Sequence, residues 1–405
     1  MNTNASPLAI ALRRFGSRPA ARVGLLLLLG FILIATYAPL LCSPVALFWW
    51  DDSGLHCPVL FDLFNKNQYS KPHHLLFNVF GLLLPIFVAL WWCLRRRRAG
   101  NRLLLNTGLL LGGMLLCLVP LLPTKHGWRA IWSERPPTTL TWPEYRGNDS
   151  KDVTAIFPLI PHGFRDKFSV YQAPMSENPT TGTTLYLGTD DRGADVLARM
   201  VYGARVSLTI GLVAVGISMF IGVVIGAVSG FFGGWVDLLL QRVVELMMTF
   251  PTFILVLVAV AVLGRDIYLM MIIFGLTGWA STARLVRGEF LREMSRDYVL
   301  AARALGLPGW RIMFRHILPN ATTPLLISAT FGIAGTVLAE SGLAFIGLGD
   351  DSVPSWGSLL DVGRQQVQYS WLIWVPGLAI FGLVTALNLI GNALREALDP
   401  KELER

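Results

Sequence analysis

The chain has six lysines, Lys66, Lys71, Lys125, Lys151, Lys167 and Lys401, and none follows a glycine. A Walker A phosphate loop needs Gly-Lys, so this chain carries no such nucleotide site. No Ser/His/Asp, Cys/His or paired-carboxylate set is identifiable, and no catalytic residue or cofactor is assigned. No Cys/His spacing reads as a metal site. His73 and His74 are adjacent, cannot share one helical face, and read as interfacial. Cys93 and Cys117 lie in apolar runs as packing residues. Cys42 and Cys57 bracket a polar loop, where pairing and free thiols both stay open. Glu340 is the one acidic residue near an apolar core, and a carboxylate there is a candidate for proton coupling. It lies near the end of its apolar run, where a headgroup or neighbouring helix can satisfy it.

The elements that would position these residues are membrane spans. Of 405 residues, 53% are hydrophobic and 15% charged, against about 25% charged in soluble domains. Mean hydropathy is +0.54. The formal net charge of +8 then means basic cytoplasmic loops. No interleaved basic and aromatic surface suits nucleic acid. The predicted class is an all-α polytopic membrane protein of about eight spans. A cytoplasmic segment, 1–22, precedes a first span, 23–42. That run is longer than a signal-peptide core. A polar, aromatic outer loop, 43–74, leads to an extra hairpin, 75–122, whose tip carries Arg95, Arg96, Arg97, Arg98 and Arg102. A periplasmic insertion with little regular structure, 123–200, precedes the core, 201–405. Its predicted spans are 206–232, 246–263, 267–285, 321–343 and 371–394. Gly233 to Glu245 reads as a short cytoplasmic turn, and Pro251 as a kink. Both termini fall inside, while His162 and His316 fall on opposite sides. Ala214, Ser218, Gly222, Gly226 and Gly230 recur every four residues and make a seam for close helix approach.

Between two core spans lies a basic loop, 286–320, containing DYVLAARALGLPGWRIMFRHILPN from Asp297 to Asn320. Asp297 is suited to cap a helix that Ala301, Ala302, Ala304 and Leu305 favour, with Arg303 among the loop's basic residues. Gly306 suits a left-handed helix end, with Pro308 beyond it. A second short helix, from Trp310 to Ile317, leads to Pro319, which fits the first turn of the next span. Read by pattern alone, this is a membrane-surface loop.

The segment resembles the cytoplasmic coupling loop of permease subunits of ATP-binding-cassette importers. Ala301, Ala302, Gly306, Leu318 and Pro319 fall on that family's positions; Leu300 stands where it has Glu. His316 followed by Leu-Pro-Asn is similar to the dipeptide, oligopeptide and nickel branch. Three further blocks resemble that branch: Leu187-Gly188-Thr189-Asp190 through Asp195 with Arg199, Gly203, Arg205 and Ser207; Glu340 through Gly349 with Val353 through Leu360; and Leu398-Asp399-Pro400. Asp195 is also a fair helix N-cap, and Trp356 reads as an interfacial anchor. The resemblance implies a type I importer permease core of about six helices, to which the hairpin and insertion are additions. It implies transport of peptides across the inner membrane, no enzyme activity in this chain, and a homologous second permease subunit. Two ATP-binding subunits and a periplasmic or lipid-anchored substrate-binding protein complete the implied set. A secondary active transporter, and an importer of nickel or another small solute, are the alternatives.

Overall fold

The computed structural model describes residues 14–51, 54–65, 68–69, 71–95, 140–147, 154–179 and 181–398. The expected second arm of the hairpin, 103–122, and Cys117 lie outside them. Among the described residues, five helices are long and apolar enough to cross a membrane. A bent pair brings the number to six if counted as one span. The chain divides into two compact units.

The first unit comprises 1–30, 207–365 and 373–405. It holds the start of α1 (Pro19–Thr36) and most of α6 (Val196–Phe232), a helix of about 55 Å at 1.5 Å per residue. After Gly233 the chain does not turn loosely, as the sequence suggested. It forms α7 (Gly234–Thr249), whose apolar residues continue the helical pattern past Glu245. Phe250 and Pro251 are extended, because a proline disfavours helical backbone before it. The axis therefore bends by 74° into α8 (Thr252–Leu263). Gly264, at φ 109°, ends α8. Asp266 then caps α9 (Ile267–Met294), accepting from Tyr268 N and Leu269 N at 2.9 and 3.2 Å.

The basic loop follows as α10 (Asp297–Ala304) and α11 (Gly309–Arg311). The expected separate second helix is instead continuous with its span. A π-helical stretch, Ile312–Ile317, passes directly into α12 (Leu318–Leu343). Leu318 N–H donates to Met313 O, one residue farther back than in an α-helix. That shift falls just before Pro319, which has no N–H to give. A second π stretch, Ala344–Leu348, is broken inside at Gly347, φ 83°. Within the 353–360 segment α13 (Trp356–Gln365) begins. Trp356 is buried in this unit, not set at an interface. A Cβ on Gly357 would lie 2.6 Å from Ala344 Cβ and 2.8 Å from Ser341 O, so α13 crosses the end of α12 at near contact. The last helix is α14 (Trp371–Ala397). Gly24 of α1 meets it: a Cβ there would sit 2.9 Å from Ala386 O. Arg18 pairs with Glu396, joining the two ends of the chain.

The second unit comprises 31–206 and 366–372. It includes α2 (Ala38–Leu41), α3 (Pro58–Asp62), α4 (Pro72–Arg95) and α5 (Trp142–Gly147). It also holds regular structure that the sequence analysis left out. β1 (Phe48–Asp51) pairs antiparallel with β2 (Gly54–His56) and with β3 (Thr154–Ile156), in the order β2-β1-β3. β1 and β3 come from the two expected outer segments, so one sheet ties them together. β4 (Ser176–Glu177) and β5 (Thr184–Leu185) form a hairpin. His73 and His74 are buried, not interfacial. His74 packs against the rings of Tyr69, Phe164 and Tyr202. Cys42 and Cys57 are free thiols.

Candidate functional site

The α10 helix has two distinct faces. Val299 and Ala302 point inward, into a core with Phe290, Ile312, Met313 and Ile317. Leu300 and Leu305 point outward, 51% and 80% exposed, with Ala301 and Ala304 exposed between them. Ala302, expected as a docking residue, is therefore a core residue. Asp297 is not the cap; Arg296 holds that position without a side-chain bond, and Asp297 lies in the first turn. Its charge is favourable there, at the positive end of the helix dipole. The other end closes as a Schellman motif. Gly306, at φ 70°, donates to Arg303 O at 2.9 Å, and Leu307 N donates to Ala302 O at 3.2 Å. Trp310 is 61% exposed beside α10, and the Arg311 guanidinium lies 5.5 Å from its ring centroid.

Two residues that sequence reasoning passed over secure this helix. Tyr298 Oη donates to Glu293 Oε2 at 2.8 Å, and Asn320 Nδ2 donates to Tyr298 Oη at 3.1 Å. Asn320 also donates to His316 O at 2.9 Å. Tyr298 thus joins α10 to the end of α9 and the start of α12. Burial, and then its bond to Glu293, hold the phenol above the ordinary tyrosine range, so it stays protonated at physiological pH. Arg303 adds a contact from its Nη2 to Met294 Sδ at 3.0 Å and lies over the Phe231 ring. Half-buried His316 and Leu318, with exposed Pro319, sit at the foot of α12. Nearby, Arg287 holds Asp237 in a two-pronged ion pair, Nε to Oδ1 at 2.6 Å and Nη2 to Oδ2 at 2.7 Å. Ser229 donates to the same carboxylate at 2.5 Å, so α6, α7 and α9 meet there.

The small-residue seam of α6 lies against α9. A Cβ added at Gly222 would be 2.5 Å from Thr282 Cβ, at Gly226 2.4 Å from Ala283 O, and at Gly230 2.6 Å from Phe290 Cβ. Ala214 and Ser218 continue the seam opposite Gly275 and Gly278. Glu340 is buried, within reach of Ser341 Oγ at 3.3 Å and of the Ser355 side chain.

In the second unit the Gly/Asp motif is a knot. Cβ atoms at Gly188 and Gly193 would lie 2.2 and 2.0 Å from carbonyl oxygens, and both glycines have positive φ. Asp190 accepts from Arg192 N and Ala194 N and pairs with Arg199. Burial, and then the Asp190 carboxylate, push the Asp191 carboxyl up. Asp195 caps α6, accepting from Ala198 N at 3.0 Å. Its other oxygen meets His162 Nδ1 at 3.0 Å, and His162 Nε2 meets Thr183 Oγ1 at 2.6 Å. The fold thus assembles an Asp-His-hydroxyl row that no local spacing announced. The row is buried, and Thr183 Oγ1 is also bonded to Thr181 Oγ1 at 2.7 Å, so it braces the loop and offers a substrate no open face.

Comparison with known proteins follows from this geometry. A family model described as "Binding-protein-dependent transport system inner membrane component" matches residues 222–403. The dipeptide transport system permease protein DppC of Alkalihalophilus pseudofirmus is 38% identical over 218 residues, 53% of this chain and 72% of that protein. The oligopeptide transport system permease protein OppC of Haemophilus influenzae is 38% identical over 230 residues, 56% of this chain and 74% of that one. The peptidoglycan transport system permease protein YejE of Agrobacterium fabrum is 36% identical over 283 residues, covering 69% and 73%. With membrane-length helices, a two-faced α10 and relatives matched over most of their length, the chain belongs to the inner-membrane permeases of binding-protein-dependent transport systems, in the peptide-importer branch of the ATP-binding-cassette family.

Proposed function

We propose that this chain is one of two homologous permease subunits of an ATP-driven importer that carries di- or oligopeptides across the bacterial inner membrane. The observation that carries the reading is α10, with an outward apolar ridge of Leu300, Ala301, Ala304 and Leu305 on a base tied to two spans. An exposed apolar ridge in a basic loop calls for a partner groove. Two ATP-binding subunits, one for each permease, supply it. ATP-driven closure of those subunits displaces α10, and the Tyr298–Glu293 and Asn320–Tyr298 bonds pass the displacement to α9 and α12. A periplasmic or lipid-anchored binding protein delivers the peptide from the other side. The Arg-rich loops put α10 and both termini in the cytoplasm. The Arg18–Glu396 pair supports this, because it brings the start of α1 and the end of α14 to one side. Residues 43–74 and 123–200 then face the periplasm, with 75–122 as an added hairpin.

The test is co-purification from mild detergent with the products of neighbouring genes. The intact chain should bring down a Walker A-bearing ATPase, and Leu300→Asp and Gly306→Asp should lose it. If both variants retain the ATPase and transport normally, α10 is not the dock. Transport abolished by proton uncouplers but indifferent to ATP depletion would favour secondary transport instead.

A further inference from the structure

In the first unit, α6, α9 and α12 line a partly open cavity of about 170 Å³. Among the described residues, five hydroxyl side chains line it, Ser218, Ser281, Thr282, Ser328 and Thr336, beside apolar Ala214, Val215, Met219 and Phe274, and no charged group does. All five fall inside the predicted apolar runs 206–232, 267–285 and 321–343, with Ser281 and Thr282 toward the cytoplasmic end of theirs, which puts the cavity within the depth those runs would span. A polar surface at that depth faces protein or a water-filled path, not lipid. Ser281 Oγ donates to Gly278 O at 3.0 Å and Thr336 Oγ1 to Gly332 O at 2.9 Å. Those bonds spend the hydroxyl protons on the helices themselves and leave oxygen lone pairs for an incoming donor. Ser and Thr also glue helices together, but there they interlock, whereas here they leave a volume between them. The volume is close to the roughly 150 Å³ that holds a benzene ring, room for one peptide unit and not a whole peptide.

We propose that this neutral, hydroxyl-lined notch is a transit subsite, which accepts N–H groups of one peptide unit of the cargo within the membrane. It rests on the peptide-importer reading above. Charge neutrality suits a carrier of varied peptides, since no fixed charge selects among their side chains.

The test uses the full complex in membrane vesicles with its binding protein. Ser328→Cys and Leu326→Cys are compared for reaction with a charged methanethiosulfonate, above the background of the four native cysteines. Leu326 is an exposed apolar neighbour on α12. Ser328→Cys should react roughly tenfold faster, the factor by which a one-unit rise in thiol pKa in hydrocarbon depletes thiolate at Leu326→Cys. Transported trialanine should slow it. Thr336→Cys repeats the measurement should Ser328→Cys not assemble. Equal, slow reaction at both positions overturns the notch and leaves it as a helix-packing face. Fast reaction unaffected by trialanine, with trialanine uptake intact, also overturns it. If the unaltered complex takes up no peptide of any length, the functional reading fails, and the subsite fails with it.

Discussion

Gly306 illustrates how a single residue sets the end of α10. At φ 70° its backbone is left-handed, yet a Cβ there would touch nothing within 4 Å. The requirement is conformational and not steric. Gly306→Ala should cost roughly 1–2 kcal/mol of local helix-end stability and reduce ATPase recovery. Gly306→Asn should recover most of it, because Asn tolerates that conformation; equal behaviour of the two variants in the co-purification would show that the turn is not what matters. Asp191 offers a pH test. Its carboxyl is held up by burial and by Asp190, so the charged form burdens the folded state above its raised pKa. Asp191→Asn should therefore raise the melting temperature at neutral pH, and the gain should vanish as pH falls through the raised carboxylate range. A gain that persists at low pH would point to packing instead.

Among the elements, the α6–α9 contact and the α10 tie make separable predictions. Gly226→Ala drives a Cβ to 2.4 Å from Ala283 O, where backbone must move, and should cost about 1–3 kcal/mol. Gly216 lies on the same helix with nothing within 4 Å of its Cβ, so Gly216→Ala should leave thermal unfolding unchanged or later. Tyr298→Phe removes a bond to a buried carboxylate and one from Asn320 while keeping the ring. It should lower the peptide transported per ATP hydrolysed while the ATPase still co-purifies. The expected loss of local stability is about 1–3 kcal/mol. Unchanged coupling would mean that α10 moves its spans through packing alone.

For the whole molecule, the apolar ridge of α10 sits in a loop carrying Arg292, Arg296, Arg303, Arg311 and Arg315, all exposed. A partner groove that meets them should be apolar at its floor and acidic at its rim. Salt screens exposed charges over about 10 Å at 0.1 M. The rate of ATPase association should therefore fall as salt is raised, with little change in dissociation, as measured by surface immobilisation of the detergent-solubilised complex. A salt-independent association rate would argue for a ridge-only contact. The same scale explains why the first and last helices are linked. Gly24 lets α1 approach Ala386 closely, and Arg18 reaches Glu396, so α1 and α14 close one unit.

Much of this architecture was legible in sequence, because hydrocarbon imposes a one-dimensional rule. A span needs about 20 apolar residues, and Arg-dense short loops stay in the cytoplasm. Gly306, Pro319 and Asp195 could likewise be read, since backbone conformation and capping depend on neighbours a few residues away. What lies across the fold could not. The Gly233–Glu245 stretch looked like a turn because Asp237 and Arg242 interrupt its apolar run, but Arg287, fifty residues on, neutralises Asp237 and makes a helix tenable there. Trp356 is the residue type of an interfacial anchor, yet the fold buries it. Glu293, Tyr298 and Asn320 have no spacing that marks them as partners. Asp195, His162 and Thr183 meet only through a loop held by two glycines. Local rules thus determined most of the apolar runs, the cap at Asp195 and the helix end at Gly306. Which polar groups satisfy one another at a distance was decided by the tertiary structure alone, because a buried hydrogen bond depends on proximity in space and leaves no period in the chain.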